Sequence, residues 1–448
     1  MNFQNIFRNK ILLCTQKEKK KDDLKEEYSS SNPSKTLCNL PLKVEFCKSC
    51  TISNQKPIQT IEHLQNSADH KTTLSFENGI CFACRHKNDK KEIDWAEREY
   101  NFRKLLDKYR SRNGSYDIVV PGSGGKDSFK VAHELKYNYG MNPITCTFAP
   151  NIYTETGYNN LINWINSGFA NYNYTANGKV HRLLTRLCVE NLLHPFQTWI
   201  MGQKAFPNKF AKLIKVPLVI YGENPREYDQ GSKFGIYDEN VIKELHQRTN
   251  DDELFIAGYP IKKLKQDLKL LDTDLEPYLP MSDQEFEEEK IKCITFSYYH
   301  NWHQQGNYYY VRDNSENFTL SEERSAGTYS RYSSLDDKMD DLYYYTTYIK
   351  FGIGRAQYDA CHEVRAGDIT LGEAKALIKK YTGEFPKRFM KEICNFLTIK
   401  KDDFPNLKKY VDDCNFTESY LEELCETYKS PHLFKKTNKK KLELRYLP

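Results

Sequence analysis

The run Pro121-Gly122-Ser123-Gly124-Gly125-Lys126-Asp127-Ser128 has the residue types of an anion cradle. Gly122, Gly124 and Gly125 let backbone N–H groups turn inward without interference from a Cβ. Lys126 supplies a point charge, and Ser123 and Ser128 supply hydroxyl donors. A helix opening at Lys126 adds its positive N-terminal end. Asp127 repels a phosphate directly and suits Mg²⁺ instead. The spacing is not that of the Walker loop, where four residues separate the first Gly from Gly-Lys-Ser/Thr. The chemistry expected is the binding and cleavage of ATP, with Lys126 and Asp127 as the catalytic pair. The competing structural account is a plain glycine turn between strand and helix.

A second constellation is made of thiols. Cys47-Lys48-Ser49-Cys50 and Cys81-Phe82-Ala83-Cys84 are two Cys-x-x-Cys pairs. Four thiolates suit tetrahedral Zn²⁺. An iron–sulfur cluster uses the same ligand set. Four protein ligands leave no open coordination position, so the role expected of Cys47, Cys50, Cys81 and Cys84 is structural.

These residues need elements to hold them. Tyr116 to Val120 is a short apolar run and predicts a buried parallel strand ahead of the loop. A helix is expected from Lys126 to Tyr139, then a strand over Asn142 to Phe148 and a helix over Thr156 to Ala170. Further strands are expected at Tyr172 to Thr175, Val216 to Tyr221 and Ile291 to Tyr299, with helices over Lys179 to Leu193 and Gln203 to Ile214. Ahead of the loop, Asp94 predicts an N-cap for a helix reaching Arg110, with Trp95, Tyr100, Leu105, Leu106 and Tyr109 on its apolar face. The alternation predicts an α/β fold: a doubly wound, mostly parallel sheet with helices on both faces. Residues 303–334 read as loops, and the chain from Leu335 onward reads as helical. The organisation expected is a polar leader over 1–42, a four-cysteine metal knuckle over 43–92, an α/β domain over 93–300, a mainly helical domain over 301–434 and a basic tail over 435–448.

Strand ends face the ligand crevice in such a sheet. Gly222 and Glu223 follow the strand at Val216 to Tyr221, with Asn224 and Arg226 just beyond. Glu223 and Asn224 are placed to meet ATP, Mg²⁺ or a substrate, unless they form only a helix-capping turn.

The Ser-Gly-Gly-Lys-Asp-Ser loop resembles that of the PP-loop ATP pyrophosphatases, which cut ATP between the α and β phosphates and pass AMP to an oxygen. That resemblance implies that Thr147 and Phe148 border the adenine. More of the chain joins it: the two Cys pairs with Cys84-Arg85, Ile93-Asp94-Trp95, Leu106-Asp107-Lys108-Tyr109-Arg110, Tyr221-Gly222-Glu223-Asn224, Tyr298-Tyr299-His300-Asn301-Trp302 and Lys350-Phe351-Gly352-Ile353-Gly354-Arg355-Ala356. Together, from about Cys47 to about Lys436, these resemble the N-acetyl sugar amidotransferase family. Asn307-Tyr308-Tyr309-Tyr310 and Tyr344-Tyr345-Thr346-Thr347 resemble its branch acting on nonulosonic acids such as pseudaminic or legionaminic acid.

The activity this implies turns an acetamido group into an acetamidino group, in flagellin-sugar or surface-polysaccharide biosynthesis. A free sugar or a nucleotide sugar would serve as substrate. A sugar carboxylate favours the planar fork of an arginine. Arg186 and Arg355 are the candidates, although Glu190 and Asp359, four residues on, offer each a structural ion pair. The resemblance also implies glutaminase and cyclase-like subunits that supply ammonia. The sequence agrees, since Asn2 follows Met1 and no Cys sits in a glycine-flanked elbow. The alternative of another class is a PP-loop tRNA-thiolating enzyme with a zinc or iron–sulfur site, which would need a basic body and cysteines near the loop.

Charge argues against nucleic acid. The chain of 448 residues carries +5 overall, but residues 1–42 hold +3 and residues 435–448 hold +5, which leaves the body at −3. Binding to a polyanion needs a basic surface. No window approaches the ~20 apolar residues of a membrane span. The 13 Cys are mostly scattered, unlike a secreted disulfide framework, so a cytoplasmic location is expected.

Overall fold

The computed structural model describes residues 36, 40–57, 74–223, 247–248, 255–404, 414–435 and 442–448. Most of the leader, Asn224, Arg226 and part of the basic tail lie outside them.

The centre is a five-stranded parallel sheet. After a short hairpin, β1 (Phe76–Glu77) and β2 (Ile80–Cys81), and the helix α1 (Phe82–Asp89), its strands are β3 (Ile118–Pro121), β4 (Pro143–Phe148), β5 (Asn171–Tyr174), β6 (Leu218–Tyr221) and β7 (Lys292–Thr295). Their order across the sheet is β7-β6-β3-β4-β5, and every pairing is parallel. The two-residue alternation of a strand sorts these side chains onto opposite faces. Ile118, Val120, Leu218, Ile220 and Ile294 pack on one face, with α2 (Trp95–Tyr109), α3 (Lys126–His133) and α4 (Glu155–Asn166). Val119, Ile144, Cys146, Val219 and Cys293 pack on the other, with Phe210 and Ala211 of α6 (Gln197–Ile214). Both faces are therefore covered, as a parallel sheet requires.

Asp94 caps α2 as expected, accepting hydrogen bonds from the Ala96 and Glu97 amides. The buried face of α2 differs from the expectation. Phe102 and Leu106 are fully buried, while Tyr100 is exposed. Phe102 lies four residues before Leu106 and meets Tyr139, Phe296 and Tyr299, so it takes the central place.

Two other expectations are corrected. The strand expected over Ile291 to Tyr299 ends at Thr295, and Phe296–Tyr299 forms a helical turn. That turn stacks His300 on Phe296, with ring centroids 3.9 Å apart. The supposed loops over 303–334 contain α7 (Gln304–Asn314), whose N-cap is His303. The π turn over Glu134–Asn138 continues α3 to Tyr139.

The C-terminal part is helical. It comprises α8 (Asp340–Phe351), α9 (Arg355–Ala366), α10 (Leu371–Tyr381), α11 (Met390–Leu397) and α12 (Glu418–Tyr428). Leu342, Ile349, Ile393, Leu397, Leu421 and Tyr428 form its core and enclose Val189 and Leu193 near the end of α5 (Gly178–Leu192). Among the described residues, no helix is long and apolar enough to cross a membrane.

Candidate active site and cysteine cluster

The glycine loop leaves the C-terminal end of β3, the strand where the sheet order switches. From β3 the chain continues to β4 on one side, and later returns to β6 on the other. That switch point is where open α/β sheets bind ligands. The Gly122 amide donates to the Cys146 carbonyl at 2.9 Å, which ties the loop to β4. Gly124 has φ +83, and a Cβ there would stand 2.6 Å from the Asn160 carbonyl oxygen. Only glycine lets the loop pass this close to α4. Gly125 caps α3 without a side-chain hydrogen bond, so the first amides of α3 have no capping side chain.

Lys126 is buried, and its Nζ lies 2.5 Å from Asp127 Oδ2. Asp127 Oδ1 accepts a hydrogen bond from Asn307 Nδ2 at 2.6 Å. Ser128 donates to the Gly125 carbonyl at 3.2 Å. Gly222, just past β6, abuts this first turn: a Cβ there would lie 3.1 Å from the Asp127 carbonyl carbon. Glu223 is exposed as a residue, while protein packs around its carboxyl group. That crowding raises its pKa, the Asp127 charge raises it further, and Lys204 opposes both. The structure thus brings Ser123 to Ser128, Gly222 and Glu223 together.

At the end of β4, Thr147 is buried and accepts a hydrogen bond from Asn171 at 3.0 Å. The Phe148 ring fills the space over Gly202, where a Cβ would lie 2.2 Å from it.

The loop also meets the helical part, which the sequence did not signal. Residues 335–337 cross the N-terminus of α4. The Thr154 amide donates to the Asp336 carbonyl at 3.1 Å, and a Cβ on Gly157 would sit 2.2 Å from Asp336 Cα. The Asp336 carboxyl lies close enough to the Ser123 side chain of the loop for that hydroxyl to favour its charged form. Burial raises the Asp336 pKa, and the Ser123 contact partly offsets this. Nearby Asp340 is held well above the ordinary carboxylate range, by burial first and then by Asp336 and Asp337. Neither aspartate stood out in a segment read as a helix start. Asn307 was hidden because its polar, tyrosine-rich segment read as a loop.

Arg355 and Arg186 differ in surroundings. Arg355 pairs with Asp359 at 2.8 Å and donates to the Tyr344 hydroxyl at 2.6 Å. Tyr344 in turn meets Ser334 at 2.5 Å, next to the crossing segment. Arg186 is fully buried in α5. It donates to Glu190 at 2.8 Å, to the Leu397 carbonyl at 2.9 Å and to Cys414 Sγ at 3.0 Å. None of these partners belongs to the glycine loop. Both ion pairs offered by the sequence therefore form.

The four knuckle cysteines converge. Cys47, Cys50, Cys81 and Cys84 are buried, with sulfurs all within 4.8 Å of one another. The Ser49 and Cys81 amides donate to Cys47 Sγ at 3.4 and 3.3 Å. Amides aimed at sulfur stabilise thiolate charge, so the donor set fits a tetrahedral metal ion. The neighbouring side chain of Cys361, then those of Cys47, Cys81 and Cys84, hold the Cys50 thiol well below the ordinary thiol range. The cluster docks on α9: Cys361 donates to the Cys50 carbonyl at 2.7 Å, and Gln357 to the Thr51 carbonyl at 2.8 Å.

Residues 326–446 match the family model described as LPS biosynthesis protein WbpG-like, C-terminal domain. No curated protein matches the chain. The matched segment spans α8 to α12 and begins ten residues before Asp336, which touches the loop.

Proposed function

We propose that the chain is an ATP-dependent amidotransferase of the PP-loop type, acting on an N-acetylated sugar in surface-polysaccharide or flagellin-sugar biosynthesis. The observation that carries this is the glycine loop with Lys126 and Asp127, set at the switch point of a parallel sheet. The WbpG-like match over 326–446 supports a sugar pathway.

The chemistry follows from the acceptor. An amide carbon is a poor electrophile because its oxygen leaves badly. In the first step the acetamido oxygen attacks the α-phosphorus, and pyrophosphate leaves. In the second, ammonia attacks the imidate carbon, and AMP leaves with the former amide oxygen. An acetamidino group remains. Loop amides and Lys126 stabilise the phosphate charge as it develops, which is positioning and electrostatics rather than covalent catalysis. Mg²⁺ at Asp127 supplies further charge neutralisation when bound. Thr147 and Phe148 border the adenine, and Glu223 faces the crevice. Arg355 is the preferred contact for a sugar carboxylate, as on a nonulosonic acid. The cysteine cluster holds Zn²⁺ or an iron–sulfur cluster in a structural role. Ammonia comes from a separate glutaminase with a cyclase-like partner.

The thiolating alternative loses ground on its cysteines. Cys146 and Cys188 lie in the strand–helix region, but both are buried. Burial pushes the Cys188 thiol up to about 12 and raises the Cys146 thiol as well. Neither is an available thiolate.

The test is incubation with ATP, Mg²⁺, an ammonium salt and either a di-N-acetyl nonulosonic acid or an N-acetyl nucleotide sugar. AMP, pyrophosphate and a product lighter by the difference between O and NH are expected. Release of ADP, or turnover only with tRNA and a sulfur donor, would refute the reading.

A further inference from the structure

We infer that Asn307 is a positioning residue that keeps Asp127 available to a divalent cation by holding Lys130 away from it. This rests on the ATP-cleaving reading above, and on a contact between two helices that the reading does not use.

Asp127 and Lys130 lie three residues apart on α3, a spacing at which a carboxylate and an ammonium can pair directly. They do not pair here. Asn307 of α7 sits between them. Its Nδ2 donates to Asp127 Oδ1 at 2.6 Å, and its Oδ1 accepts from Lys130 Nζ at 3.2 Å. The Asn307 side chain is buried, and one orientation of its amide satisfies both neighbours. The flipped amide would set oxygen against a carboxylate and nitrogen against an ammonium. An aspartate at this position would satisfy Lys130 and repel Asp127. The packing keeps the amide in place: Tyr310, one turn further along α7, lies 2.9 Å from His133 of α3.

The consequence concerns charge. Asp127 already holds Lys126 through Oδ2. Phosphates in the loop attract Lys126 and release that oxygen. A second ammonium on Oδ1 would neutralise the carboxylate and compete with the cation it is suited to bind. A neutral amide donor leaves the negative charge intact and fixes its direction.

The experiment measures affinity for α,β-methylene-ATP, which cannot be cut between the α and β phosphates, by calorimetry across a Mg²⁺ titration. Thermal melting checks the fold of each variant. Asn307→Ala should need about fivefold more Mg²⁺ for half-maximal nucleotide affinity. Adding Lys130→Met to it should restore most of the loss, because the competitor is gone. A residue that only packs helices would lower the melting temperature without moving the Mg²⁺ midpoint. Should Asn307→Ala fail to fold, Asn307→Leu keeps the bulk, removes both the Lys130 and the Asp127 contacts, and carries the same test. An unchanged Mg²⁺ midpoint in a folded variant overturns this inference alone. Absence of Mg²⁺-dependent nucleotide binding in the unaltered protein overturns the ATP-cleaving reading together with it.

Discussion

Lys126 and Asp127, adjacent in sequence, hold each other across 2.5 Å at the mouth of the glycine loop. The group suited to phosphate and the group suited to a cation thus neutralise one another. On the proposed reading, nucleotide with Mg²⁺ would offer each a better partner, so binding would exchange one ion pair for two. Lys126→Met should fold normally and lower the rate of AMP formation by about 10²- to 10³-fold, the usual scale for losing one preorganised charge donor. Quantifying AMP by chromatography at saturating ATP checks this. Activity within a few-fold of the unaltered protein would remove Lys126 from the chemistry.

The contact of Gly202 with Phe148 yields a stability prediction. A Cβ on Gly202 would fall 2.2 Å from the Phe148 ring, well inside van der Waals contact. Gly202→Ala should therefore destabilise by about 1–3 kcal/mol through overpacking. Because Phe148 ends β4 beside the crevice, nucleotide affinity should fall as well. Phe148→Leu introduced together with Gly202→Ala should recover part of the stability, a coupling that a double-mutant cycle in urea reads directly.

Much of the sheet was legible because β3, β4 and β6 are short apolar runs, and helices with clear stops follow β3 and β4. Val119 and Val120 announce burial on both faces, and Gly140 marks the end of a helix. The loop was legible for a different reason: few contexts put three glycines, Lys, Asp and Ser between a buried strand and a helix. What could not be read is long-range. Asn307 lies 180 positions from Asp127, and no local pattern marks their contact. Asp336 reaches Ser123 only because Gly157 admits its backbone over α4. Arg186 and Arg355 look alike in sequence, each with an acid four residues on. Only the fold buries one and links the other, through Tyr344 and Ser334, toward the loop.

That difference separates the two arginines experimentally. Arg186 is fully buried beside Glu190, so Arg186→Met leaves a carboxylate without its main partner. It should cost about 3–5 kcal/mol of stability. Whatever fraction remains folded should bind substrate normally. Arg355→Met sits at a partly exposed position and should cost less stability while raising the KM for a carboxylate-bearing sugar. Denaturant unfolding and steady-state kinetics on both variants distinguish these outcomes.

Metal content tests the cysteine cluster. Cys47 accepts two backbone amides and sits within reach of Cys50, Cys81 and Cys84. Cys47→Ser should abolish stoichiometric metal and lower the melting temperature, because the cluster anchors α9 through Cys361 and Gln357. Elemental analysis identifies zinc, and visible absorption of anaerobically purified protein identifies an iron–sulfur cluster. Full metal content in the variant would exclude Cys47 as a ligand.

His181 should make the fold sensitive to acid. Its ring is buried, with Nε2 2.7 Å from Asn151 Oδ1 and Nδ1 2.9 Å from the Tyr278 hydroxyl. An amide oxygen only accepts, so Nε2 carries the proton and Nδ1 receives the tyrosine hydroxyl. The neutral ring is thereby satisfied on both sides, and burial lowers its pKa from 6.5 to about 4. The sign follows from proton counting. Between pH 6.5 and about 4 the unfolded chain binds a proton at this site that the folded chain refuses. Stability from this group is complete above pH 6.5 and is lost as the pH falls through that window, at about 1.4 kcal/mol per pH unit. The loss should first be felt at Asn151, whose backbone and side-chain amides both donate to Asp337 of the segment that crosses α4. His181→Gln keeps a donor for Asn151 and removes the titration. It should start less stable at pH 7, because the Tyr278 contact is gone, yet lose stability less steeply on acidification. Urea unfolding at half-unit steps from pH 7 to pH 4 gives both slopes, and equal slopes would rule out His181 as the titrating group.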